Sequence, residues 1–345
     1  MFELISQLNL SYLCVFALII ISAIYVLTLH VNHLDIRIHE FNVAETKPLR
    51  GLMALLIILT HVSFKFPQTQ PTWLFTSFGA PVVSVFFFLG GYGLTISLMK
   101  KGNAYLKGFL KRSLTKLAIP FLLASAMWIP LACLFLEGNL KQMMLGFLTF
   151  NPPLPYSWFV YALILLYIFF YIASKSTEKL LISSGIQVAT TFAMIVIFRL
   201  LDFGVYWYIS LFAFNAGNIY AVYHKRANSI LVKKPLLTLL TVLAILVIMD
   251  LFKIRTALLA VIPFGIVVSI LVLGGGAKCK ILNFLGSISY EIYLMHGIAI
   301  TLLDNQGLDW WIYLVLACAI TIVSAYLLHE VCRLRYGGFK LLPKH

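Results

Sequence analysis

Apolar runs recur along this chain at about 10–29, 50–66, 77–98, 117–136, 157–173, 181–198, 203–223, 235–252, 256–273, 284–303 and 310–332. Their length decides the fold class, because a helix rising 1.5 Å per residue needs about 20 apolar residues to cross a hydrocarbon core roughly 30 Å thick. Hydrophobic residues make up 61% of the chain and charged residues 11%, which excludes a soluble protein. The reading is an all-α polytopic transmembrane helical bundle of about 10–11 spans.

Charge sets the orientation. The segment KKGNAYLKGFLKRSLTK (100–116) carries Lys100, Lys101, Lys107, Lys111, Arg112 and Lys116, and the loops on either side carry a single lysine each. Basic loops stay cytoplasmic. Alternation then puts HKRANSILVKK (224–234), GGGAKCK (274–280) and the tail with Arg333, Arg335, Lys340 and Lys344 inside, and DNQGLD (304–309) outside. The N-terminus is expected out and the C-terminus in. This topogenic use accounts for the net charge of +14 without nucleic acid. The N-terminal run has no basic flank and no cleavage site, so it reads as a retained helix. The five cysteines form no CxxC pair, so neither disulfides nor a metal site is expected. His30, His33 and His39, in LHVNHLDIRIHE (29–40), suit no standard metal geometry and read as part of an interfacial helix.

The span RGLMALLIILTH (50–61) opens on an arginine and closes on a histidine. Eleven positions make about three turns plus 20°, so Arg50 and His61 share one stripe, roughly 16 Å apart along the axis. Arg50 is either a snorkelling anchor or a ligand-facing cation. His61, an ionisable group inside a span, is either a neutral hydrogen-bonding group between helices or a functional one.

A second constellation is LGSISYEIYLMHG (285–297). Ser289, Tyr293 and His296 fall at i, i+4 and i+7 on one helical face, and Glu291 points away from them. This is either a packing network or a site. In APVVSVFFFLGGYGL (80–94), glycines flank Tyr92 and allow close approach of a helix or a ligand. Arg112 and Lys116 lie one turn apart before Pro120, either as topogenic charge or as a phosphate cradle. The proline-rich stretch GFLTFNPPLPYSW (146–158) ends in Ser157 and Trp158, where Trp commonly anchors an interface.

Together these segments resemble the acyltransferase-3 family of integral membrane acyltransferases, many of whose members acetylate bacterial surface polysaccharides. The resemblance spans roughly residues 45 to 330. Arg50 and His61 match the Arg-(ten residues)-His pattern, FFFLGGYGL (86–94) the FFxLSGY segment, and KRSLTKLAIP (111–120) the basic run before a proline. SWFVYALILLY (157–167) is similar to the Trp-Phe helix, and LGSISYEIYLMH (285–296) to the late Ser-Tyr…Tyr-Leu-x-His pattern. Two positions depart: Gly90 stands where serine is usual, and Lys47 where an acidic residue often precedes the arginine.

The resemblance implies one transmembrane acyltransferase domain over 1–345, with an extra helix and interfacial segment in 1–45, a family core in 46–332 and a basic cytoplasmic tail in 333–345. It resembles the stand-alone form, with no C-terminal esterase-like domain expected. The implied activity is acyl-CoA-dependent O-acyl transfer, acetyl-CoA being the expected donor, to a hydroxyl of a cell-surface polysaccharide or lipid-linked glycan in the bacterial plasma membrane. His61 is the expected general base, with His296, Tyr293 and Ser289 as its catalytic company. Arg50, Arg112, Lys116 and Tyr92 are assigned to the donor, and Trp158 and Glu291 to the acceptor. No metal or nucleic acid is expected; membrane lipids are, and the oligomeric state is open, a homodimer among the options. The competing class is an exporter of a glycan or lipid-linked intermediate, in which intramembrane His, Glu and Arg form a relay.

Overall fold

A computed structural model describes residues 10–31, 46–67, 72–273 and 279–338. The interfacial segment expected around His33 and His39 lies outside them. Among the described residues the chain is all-helical, with thirteen α-helices. They are α1 (Leu10–Val31), α2 (Thr46–Lys65), α3 (Gly79–Lys101), α4 (Phe109–Phe135), α5 (Leu140–Gly146), α6 (Trp158–Ser176), α7 (Leu180–Leu200), α8 (Phe212–Lys233), α9 (Pro235–Leu251), α10 (Arg255–Val272), α11 (Lys280–Ser287), α12 (Ser289–Leu303) and α13 (Trp310–Gly338).

Each of the eleven apolar runs contains α-helix, although 203–211 is a short 3-10 turn and loop leading into α8, and among the described residues eight helices are long and apolar enough to cross a bilayer. Large apolar side chains such as Leu134, Phe135 and Leu200 stand exposed on the outside of the bundle, as lipid-facing positions require. The chain is a multi-pass membrane protein.

Two regions depart from the spans expected. The basic stretch 224–234, expected as a loop, is the last three turns of α8, and α9 leaves it at a bend of 114°. Pro235 explains the break: it has no N–H to continue α8, yet it suits the first turn of a new helix. The run 284–303 is divided at Ile288 into α11 and α12, and the Ser289 hydroxyl donates back to the Gly286 carbonyl at the break.

The bundle is organised around α3, whose buried Phe88 and Tyr92 meet Tyr220 of α8 while Phe87 meets Phe159 of α6. Apolar contact alone gives weak preference between helices in lipid, and hydrogen bonds fix the register. Thr95 donates to Asn218 (3.1 Å), Asn218 to Gln187, and Asn215 to Thr191 (2.9 Å), which ties α3, α8 and α7 together. On the opposite side α2 packs along α11 and α12, and α1 covers α9 and α10. Helices α2, α3, α6 and α12 thus surround the middle of the molecule.

Candidate active site

Helix α2 runs unbroken from Thr46 to Lys65, so the Arg50–His61 spacing is carried on one rigid element. Its seating on α11 depends on Gly51 and Gly286: a Cβ on Gly51 would lie 2.2 Å from the Leu282 carbonyl, and one on Gly286 1.9 Å from that of Lys47. The backbones meet directly, and Arg50 is brought beside the start of α12.

Arg50 opens into a cavity of about 380 Å³, whose wall includes Tyr92, Tyr167, Ser289, Tyr290 and Tyr293. Its Nε is buried with no hydrogen-bond partner, and among the described residues Arg50 has no carboxylate beside it. A half-buried guanidinium without an anion is poised to receive one.

His61 opens into a second cavity, of about 770 Å³. Its ring lies 4.0 Å from that of Tyr156 and 4.9 Å from that of His296, centroid to centroid. The Nδ1 of His296 meets the Tyr293 carbonyl, which can only accept, so Nδ1 carries the proton and Nε2 is left with its lone pair. That Nε2 and the Nδ1 of His61 are buried without partners. Two imidazoles in ring contact, each with an uncommitted nitrogen, can accept and pass a proton.

Tyr156 was not singled out by sequence. It comes from the proline-rich stretch after α5, which folds inward onto α12. Trp128 donates to the Pro153 carbonyl (2.9 Å), Ser157 to that of Leu154 (2.7 Å), and Tyr293 to that of Tyr156. Gly297 makes this possible, since a Cβ there would lie 2.5 Å from the Pro155 carbonyl. Tyr156 itself has a φ of 61°, a left-handed conformation costly for an aromatic residue and retained where the surroundings over-determine it. Burial pushes its phenol up, so at ordinary pH it is a neutral ring against His61.

Tyr293 lines both cavities. The single passage suggested by a shared stripe is therefore two chambers meeting at one tyrosine, whose hydroxyl holds the Tyr156 backbone across the junction.

The other expected site residues divide. Tyr92 and Ser289 line the Arg50 chamber, and Trp158 the His61 chamber. Gly91 serves packing, with the Phe214 carbonyl 2.1 Å from where its Cβ would be. Arg112 and Lys116 are exposed and line neither chamber. The Arg112 guanidinium donates to the carbonyls of Tyr105 (2.6 Å) and Lys107, closing the turn before α4. Glu291 also lines neither chamber: buried on the far face of α12, it accepts from Nδ1 of His329 on α13 at 2.9 Å. Beside Tyr156, the aromatic pair Tyr206 and Trp207 joins the His61 chamber without having been expected. Their signal was faint: a short run, VYW, after Gly204.

An unpartnered cation in one chamber, a pair of imidazoles in the next and a hydroxyl at the junction are groups of the kinds that group transfer uses. Comparison with curated proteins and with solved structures finds no match. The model of one family, described as an acyltransferase domain, matches residues 49–330, and it begins one residue before Arg50. The match takes in the lining of both chambers apart from Thr46, and both histidines, and the chain belongs to the acyltransferase-3 family.

Proposed function

We propose that this membrane acyltransferase is an O-acetyltransferase of the bacterial plasma membrane, moving an acetyl group from acetyl-CoA to a hydroxyl of a cell-surface or lipid-linked glycan. The observation that carries the reading is the meeting of the two chambers at Tyr293, Arg50 in one and His61 in the other.

Side chains of Ser97, Tyr105 and Leu117 wall the Arg50 chamber, and they belong to the stretch that gathers Lys100, Lys101, Lys107, Lys111, Arg112 and Lys116. By the positive-inside rule this end faces the cytoplasm, where acyl-CoA is found, and the N-terminus lies outside and the C-terminus inside. Arg50 offers forked donors to a phosphate. Phe86, Leu89, Tyr92 and Phe159 supply an apolar wall suited to a pantetheine arm. The rise of about 16 Å from Arg50 to His61 is close to the reach of that arm. Arg112 and Lys116 act at the mouth, raising the local concentration of an anion without touching it.

The donor supplies an acetyl thioester; the chain supplies the proton handling. His61 takes the proton of the acceptor hydroxyl as its oxygen bonds to the carbonyl carbon. The carbon–sulfur bond then breaks, and His61 returns the proton to the departing sulfur. The products are an acetyl ester and a free thiol, and His61 is restored. His296 offers a second lone pair beside it. The Tyr293 hydroxyl, at the junction, is the donor to the developing oxyanion once it exchanges the Tyr156 carbonyl for it.

The test is direct. Purified protein in detergent, given labelled acetyl-CoA and surface glycan from cells lacking the gene, is expected to release coenzyme A and label the glycan. Stable, monodisperse protein that does neither overturns the reading and favours the exporter class.

A further inference from the structure

The His61 chamber has a chemical character that selects its occupant. Among the described residues, none of those lining it is Asp, Glu, Lys or Arg. The charges that bear on Tyr156 are Lys65 and Asp304, which are bound to each other at 2.6 Å, so their fields largely cancel. Four of the lining's hydroxyls spend their protons on nearby carbonyls. The hydroxyls of Thr60 and Thr76 donate to the carbonyls of Leu56 and Trp73, both at 2.8 Å. Those of Ser157 and Ser210 donate to Leu154 (2.7 Å) and Ala80 (3.2 Å). Ser77 accepts from the Ser11 N–H at 3.1 Å and keeps its own proton, and Asn151, Tyr156, Trp158, Tyr206 and Trp207 bring further N–H and O–H groups, so the lining offers neutral donors as well as acceptors.

A carboxylate or phosphate placed here would lose hydration with no Lys or Arg in the lining to offset the cost. A polyhydroxylated neutral molecule carries no such cost: its O–H groups exchange hydrogen bonds with the neutral donors and acceptors, and its C–H faces lie on the electron-rich rings of Trp158, Tyr206 and Trp207. A purely apolar chain would leave these neutral polar groups, the Asn151 amide among them, unsolvated. At about 770 Å³ the chamber exceeds one small sugar and falls within the range of sites that enclose drug-sized ligands.

We infer that the residue acylated by this protein is an uncharged sugar, seated with its neighbour in the His61 chamber, and that uronic acid or phosphorylated residues are excluded from that seat. The inference rests on the reading of this chamber as the acceptor side. The reaction is the one already written: the neutral sugar's hydroxyl loses its proton to His61, gains the acyl group, and the proton leaves on the thiol.

Surface glycan from cells lacking the gene is cleaved to oligosaccharides and divided by anion exchange into neutral and acidic pools. Purified full-length protein is offered each pool, with binding followed by tryptophan fluorescence and label from acetyl-CoA located on individual residues by tandem mass spectrometry. The expected result is half-saturation by the neutral pool at a concentration lower by about tenfold or more, the cost of desolvating an unpaired charge. Label, including any in the acidic pool, is expected on uncharged residues. Label on a uronic acid or phosphorylated residue, or equal binding of the two pools, overturns the inference and leaves the acyltransferase reading intact. Preferential binding of the neutral pool without any release of coenzyme A upholds the neutral seat and overturns the reading of the reaction, and with it the claim that the seated residue is acylated.

Discussion

The hydroxyl of Tyr293 on α12 donates to the backbone carbonyl of Tyr156, 137 residues away in sequence, and that bond lies where the Arg50 and His61 chambers meet. Tyr293→Phe removes that bond and, with it, the hydroxyl proposed as the oxyanion donor. Glycan acetylation is expected to fall about a hundredfold or more, the scale of one lost donor. Acetyl-CoA hydrolysis without acceptor is expected to rise, since water then crosses the seam. Coenzyme A release measured with and without glycan separates the two effects.

His61→Ala removes the imidazole proposed as the base, in the chamber proposed for the acceptor. A loss of about a hundredfold to ten-thousandfold in turnover is expected, at unchanged expression and membrane insertion. Ester content of the surface glycan in a complemented deletion strain reports it. His296→Asn, altering the ring behind it, is expected to cost less than His61→Ala.

Arg50 and Arg112 are both basic, and they behave differently. Arg50→Ala is expected to raise the KM for acetyl-CoA about tenfold to a hundredfold, with a smaller effect on acceptor saturation, because on the proposed reading it removes a charge-assisted contact. Arg112→Ala is expected to lower thermal stability while moving the donor KM less, since this guanidinium is held by the Tyr105 and Lys107 carbonyls. Initial rates over both substrates, with a melting curve in detergent, test the pair.

Glu291→Gln addresses a residue assigned from sequence to the acceptor. Its carboxylate is bound to His329, and the substitution is expected to cost about 1–3 kcal/mol of stability through a weakened buried pair, with acceptor KM unchanged. An acceptor KM that rises while stability holds would return Glu291 to the site.

Gly297→Val places side-chain atoms where the Pro155 carbonyl lies. The loop must move, taking Tyr156 off His61. A cost of about 1–3 kcal/mol is expected from overpacking, with turnover falling further than that loss of stability explains. Thermal melts and turnover of the same preparation decide it.

Much of this was legible in the sequence because helical geometry is local. The Arg50–His61 stripe and the Ser289–Tyr293–His296 face follow from residue spacing on single helices, and the structure puts each beside a chamber. What spacing cannot give is the path of an irregular segment. Three prolines announced a turn after residue 151, but nothing local says that it folds inward to set Tyr156 on His61. Nor does position along a helix name a partner on another: Glu291 reads as a carboxylate in a span, and only the packing of α12 on α13 supplies His329. The basic stretch 224–234 read as a loop because charge ends an apolar run, whereas the backbone of α8 carries on through it until Pro235.

Because Arg50 and His61 sit on one uninterrupted helix, the distance between them is not adjustable. On the proposed reading the helix is a ruler that grades donors by length. A thioester on a truncated arm, without its nucleotide, can touch the far mark only by forgoing the near one. It should be used about as poorly by the native enzyme as full-length acetyl-CoA is by Arg50→Ala, and lengthening or shortening α2 by a single residue should blunt the choice by turning one mark away from the other.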